Sequence, residues 1–341
     1  MRLAPFLLLA LLASACGEVV RFQAPTATPS GSATAASASP TASPSPTASP
    51  TPIADVIARI DAAKLDAHMR ALADAGSRDP RNPGHAKAVA YIKQQLAAIA
   101  GVSVTEQLAS YQGIPLDNIL ARIDPPAGPS DGFGIVCAHY DSTAILTPGW
   151  HPETDPAPGA DDNATGTAAL LELARILASQ RATLRQSVVL AFFDGEELFF
   201  KGSAAYLTSL PAASAVAWVL NIDMVGFNPL ADRLDLVYYT DRSSGLRDQV
   251  KAANDRYVIG VSPIVPQLAT SGATILDAAP FGLAGIPAIA LVERYGEKDG
   301  LYPGNPQFHT VNDTPDKVTN TRLWLKAAKL MLATALELLR G

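Results

Sequence analysis

Cysteine is almost absent from this chain of 341 residues, which contains only Cys16 and Cys137. Since Cys16 precedes the part of the chain that we expect to fold, no intrachain disulfide is expected to stabilise the domain. Cys137 lies within the apolar run from Phe133 to Ala138. That position is typical of a small buried hydrophobic residue and not of a reactive thiol.

Runs of basic residues are also missing. The chain has 26 Lys and Arg against 32 Asp and Glu, which gives a formal net charge of −6. Binding to the phosphates of nucleic acids requires clustered Lys and Arg, so nucleic acid is excluded as an expected partner. Hydrophobic residues make up 48% of the chain and charged residues 17%, so a substantial core can form and global disorder is not expected.

The N-terminal apolar run, Leu3 to Leu12, is too short to span a bilayer comfortably. It ends in Ala13-Ser14-Ala15-Cys16, so we predict a signal peptide over residues 1–15 and export of the protein. The segment resembles a bacterial lipoprotein signal, in which the cysteine after the cut carries a lipid, although Ala13 stands where Leu is usual. An ordinary signal peptidase site at the same bond is the alternative. We therefore expect a cell-surface lipoprotein anchored through Cys16, or otherwise a secreted protein.

Charge and large apolar side chains are both absent from residues 24–52, which contain only Ala, Pro, Thr, Ser and Gly. Such a segment cannot bury enough surface to offset the entropy of ordering it. We predict a semi-extended tether over residues 16–52. The folded domain is then expected to occupy residues 53–341.

Beyond residue 53, helical and strand patterns alternate. Amphipathic spacing predicts helices over 53–73, 85–100, 165–179, 203–208, 245–253 and 321–339. Apolar runs predict strands over 102–109, 118–123, 134–138, 187–193, 217–222, 234–239 and 288–292. This alternation predicts an α/β fold, a three-layer α/β/α sandwich with a mixed, largely parallel central sheet.

Five side chains that can bind metal ions stand where an apolar run gives way to turn residues or lie in loops that can reach such strand ends. They are His139, Asp162, Glu197, Asp223 and His309. Ligands of parallel sheets gather beyond the carboxyl ends of the strands. Two imidazoles and three carboxylates are a plausible ligand set for two zinc ions that share one carboxylate. Glu196, directly before Glu197, could serve as a general base, and Asp141 could accept the second N–H of His139.

Each of these residues also has a purely structural explanation. Asp161 and Asp162 precede a helix and could cap it, Asp223 could be a satisfied buried aspartate, and His309 could be a surface residue. The pair Glu196-Glu197 is the most informative, because two adjacent carboxylates at the end of a buried strand are costly unless cations compensate them. The apolar residues 198–200 that follow indicate an enclosed setting.

Together, these segments resemble the M28 family of zinc aminopeptidases over nearly all of residues 55–340. The motifs that carry the resemblance are His139-Tyr140-Asp141, Gly159 to Asp162, Glu196-Glu197 with Gly202-Ser203, Asp223, and His309-Thr310. The segment Arg78 to Gly84 is also similar to the turn near the start of that family's domain.

The resemblance implies a role for each residue of the set. Asp162 would bridge two zinc ions, His139 and Asp223 would complete one site, and Glu197 and His309 would complete the other. Asp141 would orient His139. Glu196 would take a proton from a metal-bound water and deliver it to the leaving amine. The implied substrates are peptides with a free N-terminus.

Two departures from the family pattern concern residues around this set. Where relatives often have Ser-Asp-His before Pro-Phe, this chain has Leu276-Asp277-Ala278-Ala279, so that histidine is lost while Asp277 remains. Where some relatives have a tyrosine before the last ligand, this chain has Phe308. Tyr295 and Tyr302 are candidate substitutes for supporting the oxyanion.

Two other functions remain open at this stage. Glutaminyl cyclases, which use a single zinc ion to form N-terminal pyroglutamate, share motifs similar to residues 137–142 and 192–197. The run Asp161-Asp162-Asn163 and the short step from Glu197 to Gly202 favour the peptidase. A non-catalytic binding module would have broken ligands, and none of the five is broken.

Overall fold

The central sheet contains eight strands in the residues that the structure, a computed structural model, describes, namely 50–211, 215–229, 231–269, 276–293 and 304–341. The strands are β1 (Ser103–Tyr111), β2 (Ile114–Ile123), β3 (Phe133–His139), β4 (Ser187–Phe193), β5 (Val216–Asp223), β6 (Leu234–Tyr238), β7 (Ile264–Leu268) and β8 (Ala288–Val292). Their order across the sheet is β1-β2-β4-β3-β5-β8-β6-β7. The four central strands, β4-β3-β5-β8, are parallel, whereas β2 and β6 pair antiparallel with the strands at the edges of this block.

Helices cover both faces of the sheet. They are α1 (Ile53–Ile57), α2 (Ala62–Ala73), α3 (Pro83–Ala97), α4 (Gly166–Ser179), α5 (Lys201–Ser209), α6 (Ser244–Arg256), α7 (Ala279–Leu283) and α8 (Thr321–Arg340). Buried residues of α1 to α4, α6 and α8 form one hydrophobic core with the sheet, while residues of α5 and α7 contribute to a second core. None of the helices in the described ranges is long and apolar enough to cross a membrane.

The central strands are apolar on both sides because each contributes to both cores. In β3, Val136 and Ala138 belong to the first core, and Ile135 and Cys137 belong to the second. Every residue of β3 and β4 is buried. Successive side chains of a strand point to opposite faces, so a strand between two helical layers reads as a continuous apolar run. The predicted three-layer α/β/α sandwich is thus confirmed, and Cys137 is buried as predicted.

Most element boundaries agree with the sequence analysis, with three corrections. The helix predicted over residues 53–73 is two helices, because the Asp61 carboxylate caps the second by accepting a hydrogen bond from Ala63 N at 2.9 Å. Strand β7 was not predicted, since it contains Pro266 and its residues are only partly buried or exposed. Helix α7 was not predicted because it has only five residues.

The described residues belong to one compact unit. The predicted signal peptide and most of the predicted tether, residues 1–49, lie outside the described residues. Their assignment therefore remains a prediction from the sequence.

Candidate metal centre

Three neighbouring parallel strands deliver candidate ligands to one edge of the sheet. His139 is the last residue of β3, and Asp223 is the last residue of β5. Between them in the chain, β4 ends at Phe193, which pairs with His139, and the chain then turns through Gly195 to Glu196 and Glu197. Because these strands are adjacent and parallel, their carboxyl ends place the polar side chains together at one edge.

Asp162 comes from an irregular helical turn, Ala160–Thr165, that precedes α4. The turn starts at Gly159, where φ is +51° and a Cβ atom would lie 2.3 Å from the carbonyl oxygen of Asp162. Only glycine fits such a close approach in this conformation. Asp162 itself is extended (φ −107°, ψ 95°), so its carboxylate departs from the helical path and projects toward the strand ends.

The structure places the five predicted ligands in two groups that share Asp162. His139 Nε2 lies 3.3 Å from Asp162 Oδ1 and 3.4 Å from Asp223 Oδ1. His309 Nε2 lies 3.1 Å from Asp162 Oδ2 and 2.9 Å from Glu197 Oε2. Asp162 therefore offers one carboxylate oxygen to each group. The ligand atoms of each triad all lie within 4.8 Å of one another, as a bound metal ion requires.

The spacing and burial of these atoms fit two cations. Ligand atoms about 2.0–2.2 Å from a tetrahedral zinc ion stand about 3.3–3.6 Å from one another, close to the observed separations. The Oε1 atom of Glu197 is buried and has no hydrogen-bond donor, and the Oδ2 atom of Asp162 has only the His309 ring nitrogen near it, at 3.1 Å. Buried carboxylates without donors are costly unless a cation compensates them. The mixed imidazole and carboxylate set is chemically suited to zinc.

The charges of the group favour positive charge at the same two places. Burial opposes the charged form of His309, but Glu197 and Asp162 outweigh it and raise the pKa of His309 to about 11. Burial also acts to raise the pKa of Asp162, yet His139 and His309 together hold that pKa below its ordinary value. The pKa of His139 is raised well above its ordinary value, because Asp223, Asp141 and Asp162 outweigh burial. The pocket thus stabilises cations on both sides of Asp162.

Asp141 connects the His139 strand to the loop of the two glutamates. Its carboxylate accepts hydrogen bonds from the backbone N–H groups of Glu196 (3.2 Å) and Glu197 (3.1 Å). His139 Nδ1 lies 3.2 Å from the backbone oxygen of Asp141 and 3.4 Å from its carboxylate. The hydrogen bond of the imidazole therefore goes to the Asp141 backbone oxygen, whereas the sequence analysis expected the carboxylate to accept it. The carboxylate instead holds the loop that presents Glu196, which the sequence did not indicate.

A cavity of about 260 Å³ opens onto both triads and onto Glu196. The remaining walls are apolar: they are Phe199, Phe200, Met224, Leu276, Val292 and Phe308. Four of these apolar residues and His309 have a left-handed backbone conformation, with φ between +44° and +78°. Such conformations are unfavourable for residues with a Cβ atom and tend to concentrate at functional sites. The backbone is thus held out of its relaxed conformations where it lines this cavity.

Arg78 holds together the segments that carry two of the ligands, a role that the sequence did not indicate. Its fully buried guanidinium donates to the backbone oxygens of Tyr140 (2.5 Å), Pro158 (2.5 Å) and Gly159 (2.8 Å). Burial lowers the pKa of Arg78 to about 10, so it remains a cation at neutral pH. A single side chain thereby joins the segment after His139 to the turn that carries Asp162. Only its place in the turn at 78–84 was visible in the sequence.

Two further side chains hold the Asp162 turn against other segments. Asp313 accepts hydrogen bonds from the backbone N–H groups of Asp161 and Asp162, each at 3.0 Å. The Asn163 side chain donates to Ile222 O at 3.1 Å, next to Asp223. The sequence does not indicate this contact, because the two segments lie about 150 residues apart.

Asp277 and Phe308, the residues at the two departures from the family pattern, lie in different surroundings. Asp277 is fully buried near His139 and Asp223, and burial raises its pKa to about 7. The Phe308 ring stacks on His309 at a centroid distance of 3.5 Å. Tyr295 and Tyr302, the candidate substitutes for the oxyanion role, lie outside the described residues.

Comparison with known proteins gives one family and several similar structures. Residues 118–335 match the model of Peptidase family M28. The chain is 29% identical to the probable lipoprotein aminopeptidase LpqL of Mycobacterium tuberculosis, and the match covers 71% of this chain and 49% of that protein. It thus spans about half the length of LpqL.

Among solved structures, the LapA aminopeptidase of Legionella pneumophila superposes with a TM-score of 0.70 at 18% identity, covering 85% of this chain and 75% of that one. The glutaminyl cyclase of Porphyromonas gingivalis superposes with a TM-score of 0.67 at 22% identity, covering 82% of this chain and 99% of that one. At these identities, the two superpositions establish the shared fold.

Proposed function

Since the chain belongs to peptidase family M28, we propose that it is a two-zinc aminopeptidase that hydrolyses the N-terminal peptide bond of peptides. The observation that carries the proposal is the position of Asp162, which offers one oxygen to each of two ligand triads. A single-metal site would not need a carboxylate shared between two imidazoles. His139 and Asp223 would complete one site, and Glu197 and His309 the other.

The reaction follows from the groups around the cavity. Bound zinc ions would polarise the scissile carbonyl and lower the pKa of the attacking water. Glu196 lines the same cavity beside the ligands, so it can take a proton from that water and pass it to the leaving amine. Asp141 holds the Glu196 backbone in place through its carboxylate. A fixed position of the base increases the rate of hydrolysis, because its carboxylate must lie within hydrogen-bond distance of the attacking water.

The size of the cavity supports the proposal that one residue is removed at a time. A volume of about 260 Å³ is below the range of roughly 300–1,000 Å³ typical of pockets for small-molecule ligands, and its apolar walls suit one side chain. Acidic groups also line the cavity, Glu196 and Asp223 among them, and they would attract the free α-ammonium group. We therefore expect peptides with an apolar N-terminal residue to be the preferred substrates.

Glutaminyl cyclase is the alternative that the experiment must exclude, since a cyclase shares this fold. The test measures zinc per folded chain together with two reactions, the hydrolysis of leucyl-anilide and the cyclisation of a peptide with N-terminal glutamine. The proposal predicts two zinc ions and anilide hydrolysis. One zinc ion with pyroglutamate formation and no hydrolysis would contradict it, and a protein without zinc or turnover would indicate a binding module.

We further propose that the protein is exported and anchored to the membrane by a lipid on Cys16. The proposal is supported by the N-terminal sequence and by the description of LpqL as a lipoprotein. Metabolic labelling with a radioactive fatty acid tests it, with Cys16→Ser as the matched variant. The native chain should be labelled and fractionate with membranes, whereas Cys16→Ser should be unlabelled. A labelled Cys16→Ser chain, or an unlabelled native chain in the medium, would contradict the anchor.

A further inference from the structure

Three of the large apolar side chains that are exposed in the described part of the chain lie in loops beside the candidate metal centre. Phe199 is 70% exposed, Ile145 is 67% exposed and Leu146 is 53% exposed. Phe199 follows the ligand Glu197 by two residues, and residues 145–146 follow the segment of His139 and Asp141. Exposed apolar patches are unfavourable in water and mark surfaces that bind a partner or ligand.

The loop of Ile145 and Leu146 is fixed directly to the segment of the ligand His309. The Leu146 N–H donates to the His309 carbonyl oxygen at 2.9 Å. The Val311 N–H donates to Thr147 Oγ1 at 3.0 Å. Ala144, which directly precedes Ile145, is completely buried. The loop is therefore attached on both sides of Leu146, and its two exposed side chains occupy defined places next to His309.

Phe199 lies at the same centre, two residues after Glu197, the other group beside His309. Glu197 Oε2 lies 2.9 Å from His309 Nε2, and Phe199 lines the cavity that contains both. Its φ is +67°, a conformation that disfavours a residue with a Cβ atom. Left-handed backbone at residues with a Cβ atom is held in place by the surrounding structure and concentrates at functional sites, which supports a contact between this ring and a ligand.

From these contacts we infer that Phe199, Ile145 and Leu146 form a subsite for an apolar side chain on the residue directly after the scissile bond. We call these three residues the apolar rim. The inference rests on the proposed function. With the N-terminal side chain in the cavity and the scissile carbonyl at the ligands, the rest of the peptide would extend past Glu197 and His309. Phe199 and residues 145–146 adjoin that pair. The expected substrates therefore have apolar residues at both of their first two positions.

The size of the preference for an apolar second residue depends on how much of that side chain the rim buries. Complete burial of a leucine side chain would favour binding by more than tenfold, and a rim that stays open to water on one side covers only part of it. We expect a preference of about fivefold to tenfold in kcat/KM for leucine over asparagine, a polar residue of similar shape, at the second position.

The test uses Leu-Leu-Gly and Leu-Asn-Gly with the zinc-loaded protein and with the variant Ile145→Ser/Leu146→Ser. The native protein should prefer Leu-Leu-Gly, and the double variant should lose most of this preference, measured as the ratio of kcat/KM for the two peptides. Phe199→Ser should also reduce the preference. Leu108→Ser is the matched control, because Leu108 is 73% exposed on the edge strand β1 and should leave the preference unchanged.

Binding measurements separate this inference from the proposed function. The dissociation constants of both peptides are measured with Glu196→Gln, in which binding does not depend on turnover. Tighter binding of Leu-Leu-Gly, reversed by the rim variants, supports the subsite even if the native protein hydrolyses neither peptide, a result that would contradict the proposed function alone. Equal binding of the two peptides would overturn the subsite. Vesicles of phosphatidylglycerol test a membrane contact of the rim. If the native protein sediments with the vesicles, and the double variant does not but keeps the peptide preference, the subsite is overturned and the rim is assigned to the membrane surface.

Discussion

At the scale of single residues, Asp162 has to satisfy several separate contacts at once. Its two oxygens face different imidazoles, and its backbone N–H donates to the buried Asp313 carboxylate. Its extended backbone interrupts a helical turn. The residue combines geometry and charge that a helix-capping aspartate would not need.

The sharing of Asp162 gives a prediction about metal content. Asp162→Asn removes the charge that both triads share, so zinc should fall from two ions per chain to well below one. Asp223→Asn affects only the triad of His139, so about one ion should remain. Elemental analysis of the purified variants measures both values. Equal zinc contents in the two variants would show that Asp162 does not bridge.

Glu196 gives a prediction about turnover without metal loss. Its side chain lines the cavity but belongs to neither triad that shares Asp162. Glu196→Gln should keep both zinc ions and lower kcat by roughly 10²–10⁴-fold, the usual contribution of a general base. Steady-state hydrolysis of leucyl-anilide, with zinc analysis of the same sample, measures both effects. A variant with near-native kcat would remove Glu196 as the base.

At the scale of elements, the centre depends on how loops are joined behind the strand ends. Arg78, in the turn between α2 and α3, bonds to the segment after β3 and to the turn before α4. Asp141, after β3, bonds to the loop after β4. These contacts connect segments separated by 55 to 81 residues. The ligands are therefore positioned by polar groups that are not ligands themselves.

Arg78 provides the prediction at this scale. Arg78→Met leaves several buried carbonyl groups without a donor, so the free energy of unfolding should fall by about 3–5 kcal/mol. Zinc affinity should fall with it, because the Asp162 turn loses its support. Arg70→Met is the control: its pair with Asp66 is largely exposed, and such pairs contribute about 0–1 kcal/mol. Urea denaturation compares the two. A loss below about 1 kcal/mol for Arg78→Met would contradict the supporting role.

At the scale of the whole molecule, the candidate ligands come from widely separated parts of one chain, from His139 to His309. Zinc bound at these ligands would therefore link the central strands to the loop before α8. Ligands that bind only the folded state stabilise it by mass action, by about 4 kcal/mol per site when the free ion is at 1,000 times its Kd. Stability and metal content are thus expected to change together.

Removal of zinc tests this coupling. Dialysis against a chelator should lower the midpoint of thermal unfolding by at least about 5 °C, and added zinc should restore it. The same treatment of Asp162→Asn should change its midpoint little, since that variant is expected to hold little zinc already. Differential scanning calorimetry measures the midpoints. A native protein with an unchanged midpoint after verified zinc loss would contradict the coupling.

The sequence by itself determined the fold class, most element boundaries and the residues of the candidate ligand set. Burial on both faces of a strand gives a continuous apolar run, and the polar residue that ends such a run is visible in the sequence, as His139 and Asp223 show. Only the tertiary structure decided which of those residues meet, that β4 lies beside β3 and β2, and that Arg78 and Asp313 hold the Asp162 turn. It also revealed the left-handed backbone around the cavity and the exposed apolar rim. The physical reason is that local patterns record whether a side chain is buried, whereas contacts between distant segments depend on how the layers pack.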